Sequence, residues 1–318
     1  MGEPDRSCDL HVHSAHSGPT DLPFLGRFGN ECYSEPEAVY AAARRCGMTL
    51  FTLTDHDSIE GVLPLRGRPD VFVSEELTLE LPAGRQLHLG VFGLDERQHA
   101  ALQGLRRDPE ALFAFLAEQR LPASVNHLFS ALTGAREVGD FSMILGGVDL
   151  VETRNAMVPR ATNEWARQAA RASGARSVGG SDAHTLASVA RAFTVVPGAR
   201  TRAEFLDGLR RGCTIPMGRS GTYARLTADV ARIFSSSYVD NARRAKSGLA
   251  PAARFATMLA ALPLVPLLPV VTAAVWAREL FFGERHFRAF KGGLPRRLRP
   301  GISSGPFGPA PAPRPALP

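Results

Sequence analysis

Three histidines stand within six residues in DLHVHSAHSGPT, residues 9–20: His11, His13 and His16. Side chains alternate faces along an extended chain, so His11 and His13 point to one side and can grip one ion. Imidazole nitrogen suits zinc, and also iron or manganese in mixed nitrogen and oxygen sites. TDHDS sets His56 between Asp55 and Asp57, two carboxylates placed to orient its second ring nitrogen. SEELT offers Glu76, a carboxylate able to bridge two cations, and QLHLG and VNH add His88 and His127. GGSDAH places Asp182 and His184 two apart, again on one face. Each segment alone has a bland reading: a solvated HxH pair, or a core histidine satisfied by a hydrogen bond. Six separate segments of one chemistry do not. More than six donors exceed a single tetrahedral site, so two or three divalent metals (Zn, Mn or Fe) are expected.

Clustered divalent ions acidify bound water and hold the oxygens of a phosphoester, so hydrolysis needs no Ser or Cys nucleophile. VETRNA places Arg154 just past a strand end, and guanidinium geometry matches phosphate. Arg154 is the expected phosphate clamp, its alternative being a pairing with Glu152; Asn155 is a lesser candidate. Asp57 is the expected proton shuttle or outer partner of His56.

These donors need a frame. CDLHVH, MTLFTLTDHD, PDVFVSEELTLEL, RQLHLGVFGL, PASVNH, GVDLVETRN, ARSVGGSDAH and RAFTVV read as strands. SEPEAVYAAARRCG reads as a helix with Pro36 in its first turn and Gly47 as its stop, DPEALFAFLAEQRL as one capped by Asp108. Residues 161–172 and TRAEFLDGLRRG supply two more. Alternating strands and helices predict βα units in a mostly parallel sheet, closed into a barrel. The candidate residues fall at strand C-termini, the rim on which barrel sites are built.

DLHVHS, LTDHDSIEG, EELT, HLG, VNH and GGSDAH, in this order over residues 8–217, resemble the PHP (polymerase and histidinol phosphatase) family. The resemblance implies an α/β fold, a distorted TIM-like (β/α)7 barrel with two or three divalent metals that hydrolyses phosphoesters. Carried over by motif, His11, His13, Glu76 and Asp182 hold a first metal. Glu76, His88 and His127 hold a second, and His56 and His184 belong to a third. Gly18 and Pro19 stand where the family places an acid or histidine for the third metal, which leaves His16 or Asp21 as substitutes. The family's His-Pro reads His127-Leu128, which keeps the ligand. A metal-dependent amidohydrolase is one alternative, but the only lysines are Lys246 and Lys291, so no barrel lysine is present for the carboxylated bridge common there. A non-enzymatic module that keeps its metals for stability is the other.

Of 318 residues, the last 93 carry 13 Lys and Arg against 4 acids, while the first 225 carry 24 against 27. The acidic body disfavours nucleic acid as a partner, and the basic tail suits an anionic membrane surface. Residues 1–221 are expected as the hydrolase barrel, 222–300 as a basic extension and 301–318 as a disordered Pro/Gly-rich tail. Within the extension, 255–277 runs without a charge, long enough for membrane contact, although Pro263, Pro266 and Pro269 interrupt it. Four cysteines without a CxxC pair and a first ten residues without an apolar run predict a cytoplasmic protein, associated through the tail with the inner face of the membrane. A phosphorylated small molecule or lipid-linked phosphate is the expected substrate.

Overall fold

The first histidine pair sits just past a strand, not on it. In the computed structural model, which describes residues 4–18, 29–81, 85–134, 136–246 and 262–293, β1 is only Arg6–Cys8. Beyond it the Asp9 carboxylate takes the N–H groups of His11, Ser181 and Ala190. Val12 N–H donates to the Thr54 side chain at 2.9 Å, and Thr54 N–H returns to Val12 O. Side chains therefore replace ladder partners, and residues 10–13 keep a single parallel bridge, Val12 to Ala183. Residues 51–57 behave alike, with bridges Phe51–Val71 and His56–Glu76 in place of the expected buried strand.

Helix α1, Pro36–Arg45, begins at a proline and stops before Gly47, whose φ of +85° suits glycine. Strands β2 (Ser74–Leu81) and β3 (Arg85–Phe92) follow, then helices α2 (Glu96–Leu105) and α3 (Pro109–Glu118) and strand β4 (Ala123–Val125). Asp108 caps α3 by accepting the Ala111 N–H. Next come α4 (Val138–Gly147), β5 (Leu150–Asn155), α5 (Arg160–Ser173), β6 (Arg176–Gly180), β7 (Ala192–Val196), α6 (Arg202–Arg210), β8 (Ile215–Gly218), α7 (Tyr223–Lys246) and α8 (Leu268–Gly293).

The strands make a five-stranded sheet, β2-β3-β4-β5-β6, and a three-stranded one, β1-β7-β8. Among the described strands only β4-β5 and β5-β6 pair in parallel; β2-β3, β3-β4 and both pairs of the smaller sheet are antiparallel. The expectation of a mostly parallel sheet fails because three residues separate β2 from β3, a link too short for a crossover helix, which leaves a hairpin. The described strands form a mixed α/β fold and do not close into a barrel. Segments 10–13 and 51–57 span the gap from β6 back to β2 by isolated bridges.

The tail is not a separate appendage. Phe287 and Phe290 of α8 belong to the same buried cluster as Leu128, Phe129, Phe141 and Ile144. Phe287 meets Phe129 edge-on at 5.5 Å and stacks on Trp165 at 5.7 Å. Glu279 accepts the Ala131 N–H at 2.9 Å, and Gly283 lies where a side chain would strike Trp165. A chain ending at Gly221 would bare Phe129, Phe141 and Trp165, so the boundary expected there does not divide independent cores. The uncharged run at 255–277 falls partly outside the described residues, as does 301–318.

Candidate metal centre

Strand β2 decides which of its two adjacent glutamates faces the histidines. Glu75 turns to α2, where it accepts from His99 and Gln103 at 2.9 and 2.8 Å. Alternation sends Glu76 to the opposite face, where it is fully buried. Its Oε2 lies 3.1 Å from His11 Nε2, 3.4 Å from His13 Nε2 and 3.5 Å from His56 Nδ1. Its Oε1 lies 3.3 Å from His127 Nε2 and 3.5 Å from His88 Nδ1. Five imidazoles thus surround one carboxylate.

Asp182 Oδ1 adds contacts of 3.4 Å to His11 and 3.5 Å to His13. Its φ is +54° and that of His127 is +28°, so two donors sit on strained backbone, which clusters at functional sites. The structure brings together three overlapping groups with metal-ligand spacing from the expected residues: His11, Glu76 and His127; His11, His13 and Asp182; His56, Glu76 and His88.

A fourth group contains a residue the sequence reading missed. His13, Glu31, His56 and His184 converge, with Glu31 Oε1 3.3 Å from His56 Nε2 and 3.8 Å from His184 Nε2. Of the substitutes expected for the third metal, His16 turns outward to Glu60 at 3.7 Å and joins no group, and Asp21 lies outside the described residues. Glu31 stands 15 positions beyond His16, tied to that loop by its N–H on Gly18 O. No spacing rule links the two, so only the folded loop reveals it.

The donor set fits metal ions. His13 Nε2, His56 Nδ1, both His88 ring nitrogens and Glu31 Oε1 are buried without a hydrogen-bond partner among the described residues, a concentration that native interiors avoid unless an ion or water satisfies it. Burial, with His184 and His11 close by, holds His13 down at about 4, and burial holds His56 down at about 3 against the pull of Glu76 and Glu31. Both rings are therefore neutral near pH 7, the form that ligates. Burial opposes the charge on Glu76, but His11, His56 and His88 outweigh it and keep the carboxyl well below its usual range. Burial likewise opposes the charge on Asp182, and His11 and His13 again outweigh it. Neutral His13 and His56 beside ionised Glu76 and Asp182 are in the forms that divalent metals require.

Outer contacts aim the rings. His11 Nδ1 lies 2.8 Å from Glu152 Oε1, and Glu152 also accepts the His127 N–H and the Asn155 amide. That contact directs His11 Nε2 into the cluster. His13 Nδ1 lies 2.8 Å from Ser17 Oγ, which donates to Asp55. The two aspartates flanking His56 do not serve its ring as expected, because other partners hold both carboxylates. Asp55 accepts the Ser14 N–H and hydroxyl, and Asp57 accepts the Thr78 N–H at 2.7 Å and pairs with Arg106 at 2.8 Å. Arg154 follows an irregularity in β5 and reaches Ser220 Oγ at 3.4 Å rather than joining a ligand group.

Comparison with known proteins places this constellation. Residues 160–214, the stretch that carries Asp182 and His184, match the family described as PHP_C, PHP-associated. Over that stretch the chain is similar to PHP-associated proteins. No curated protein matches it. Among solved structures, PsfC from Pseudomonas syringae is similar over 74% of this chain and 98% of its own, at 18% identity and a TM-score of 0.50. That likeness concerns the fold. An amidohydrolase from Chromobacterium violaceum is similar over 64% of this chain and 96% of its own, at 16% identity and a TM-score of 0.43. The lesion-specific endonuclease PfuEndoQ from Pyrococcus furiosus is similar over 65% and 56%, at 13% identity and a TM-score of 0.42.

Proposed function

We propose that the chain is a metal-dependent phosphoesterase acting on a small phosphomonoester, a nucleotide or a lipid-linked phosphate. The observation that carries this is Glu76, buried among five imidazoles with both oxygens engaged. His11, His13, Glu76 and Asp182 would hold one ion, and Glu76, His88 and His127 a second. His56, His184 and Glu31 would hold a third. Bound divalent zinc, manganese or iron supplies Lewis acidity, which acidifies water and offsets the phosphate charge. The chain's own part is to keep Glu76 and Asp182 ionised and the His13 and His56 rings neutral. Glu152 aims the His11 ring and Ser17 the His13 ring, and the buried walls limit access of bulk water. We also propose that the two sheets, with segments 10–13 and 51–57 as interrupted staves, correspond to an incompletely closed, distorted (β/α)7 barrel.

Metal analysis of the purified protein, joined to panels of phosphoesters and of amides and lactones, tests the function. At least two divalent ions per chain are expected, with phosphate release that chelation abolishes and added metal restores. Turnover of amides or lactones alone would transfer the site to the amidohydrolase reading. Bound metal with no turnover would leave the non-enzymatic one.

We propose in addition that α8 lies on an anionic membrane surface at the cytoplasmic side. By length and composition Val265–Gly293 is long and apolar enough to cross a membrane. One face is pinned to the core through Glu279, Phe287 and Phe290, which favours a helix in the membrane plane over one that spans it. The outer face exposes Val270, Val271 and Phe281, the last at 67%, followed by exposed Arg285 and Arg288. Co-sedimentation with phosphatidylserine vesicles, weakened by Phe281→Ser, is expected. Equal sedimentation of the variant, or dimerisation through this face without vesicle binding, would remove the idea.

A further inference from the structure

A cavity of about 360 Å³ opens where the end of β5, the first turn of α7 and the approach to β7 meet. Arg191, Arg219 and Arg225 line it with Ser220, Thr222 and Ala156, and its lining contains no carboxylate. Two glycines build this wall. Gly218 has φ of +101°, and a side chain there would meet Arg191 O at 2.2 Å; one at Gly221 would meet Met157 O at 2.5 Å. Only glycine allows such an approach. Between them Arg219 N–H donates to Arg191 O and Gly221 N–H to Val158 O, both at 2.9 Å. The backbone itself therefore fixes Arg219 and Ser220.

The side chains extend that order. Ser220 Oγ accepts from Asn163 at 2.9 Å and from Arg154 Nη1 at 3.4 Å. Arg154 Nε is buried without a hydrogen-bond partner among the described residues. Arg191 Nε donates to Ala187 O, which steadies that guanidinium. Arg225 has one carboxylate near, Asp229 at 3.9 Å, itself held by Arg232, Thr185 and Ser188. The 24-residue α7 begins at Tyr223 beside the cavity and adds the partial positive charge of a helix N-terminus. Ala156 directly follows Asn155, whose amide donates to Asp182 Oδ2 at 3.1 Å. The cavity lining is thus adjacent in sequence to the outer partner of a metal donor.

We propose that this cavity receives a second anionic group, a phosphate or a carboxylate, of a substrate whose phosphoester lies at the metal centre. The proposal rests on the phosphoesterase reading for the position of the first group. It makes the preferred substrate doubly anionic and gives Arg154 a role there instead of at the scissile phosphate. Planar guanidinium forks match either anion with paired hydrogen bonds.

The test is calorimetric binding of non-hydrolysable phosphonates to the full-length, metal-loaded protein. Simple alkyl phosphonates are compared with alkane bisphosphonates and with carboxyalkyl phosphonates over a range of chain lengths. At least one doubly anionic compound is expected to bind about ten-fold tighter than its alkyl counterpart, the size of one good charge-assisted contact. Arg219→Gln, at an exposed position that tolerates the change, is expected to erase that preference, and Arg191→Gln to do the same. Bisphosphonate and carboxyalkyl series tell a phosphate site from a carboxylate site. The proposal is overturned if no doubly anionic compound outbinds its counterpart, or if both variants keep the full preference. A preference without turnover of any phosphoester upholds the cavity and removes the phosphoesterase reading. Turnover without a preference removes the cavity alone.

Discussion

Glu76→Ala is expected to strip the protein of bound metal and to lower phosphoester turnover by about a thousand-fold or more. The expectation follows from position. Among the described residues Glu76 is the one carboxylate that contacts donors of two groups through separate oxygens: His11, His13 and His56 on one side, His88 and His127 on the other. Its loss leaves neutral rings without the anion that offsets two dications, and several kcal/mol of electrostatic stabilisation convert to about three decades of rate. Glu75→Gln is the matched control. Glu75 is equally buried but bonds to His99 and Gln103 on α2, so its change is expected to cost about 1–3 kcal/mol of stability while leaving the metal content intact. Elemental analysis and denaturant unfolding of both variants decide the matter. Metal retained in Glu76→Ala but lost in Glu75→Gln would reverse the assignment of the two faces.

The contrast between these neighbours shows why the site was more legible in the sequence than the frame around it. Metal chemistry leaves short local signatures: HxH, DxH and an acid two positions from another donor survive whatever the backbone does between them. His11, His13, Asp182 and His184 are named by spacing, His56 by its flanking acids, and Glu76, His88 and His127 by the motifs of the resemblance; all eight fall in the groups with metal-ligand spacing. Sheet direction depends on connections instead. The hairpin between β2 and β3 turned on a three-residue link, and the reading of a parallel sheet passed over it. Residues 10–13 looked like a strand because their apolar positions alternate, yet Asp9 and the Thr54 hydroxyl take over contacts that a ladder would make. The α8 docking was hidden for a related reason. Phe287 and Phe290 lie beyond the charge-free run, in a stretch whose basic composition masks its buried face.

Glu31→Gln is expected to remove one metal from the set while leaving the Glu76-centred ions in place. Glutamine keeps the shape but not the charge, so His56 and His184 with His13 beside them would face a dication with only Glu76 and Asp182 near, anions already engaged by the other groups. His16→Ala is expected to keep the full metal complement, because His16 points to Glu60 at the surface. The reverse result, metal lost with His16 and kept without Glu31, would return the third site to the loop substitute read from the sequence. A second readout needs no metal. In the metal-free protein burial pushes the His184 ring towards neutrality, but the Glu31 contact wins and raises it to about 9. A histidine with a raised folded value adds stability that is fully present below its ordinary pKa near 6.5 and is lost as pH climbs through the folded value. Metal-free Glu31→Gln should therefore be less stable than the parent at pH 6, and the gap should close as pH rises from about 6.5 to about 9. An unchanged gap across that window would mean that Glu31 does not hold the charge on His184, whatever it does for the metal.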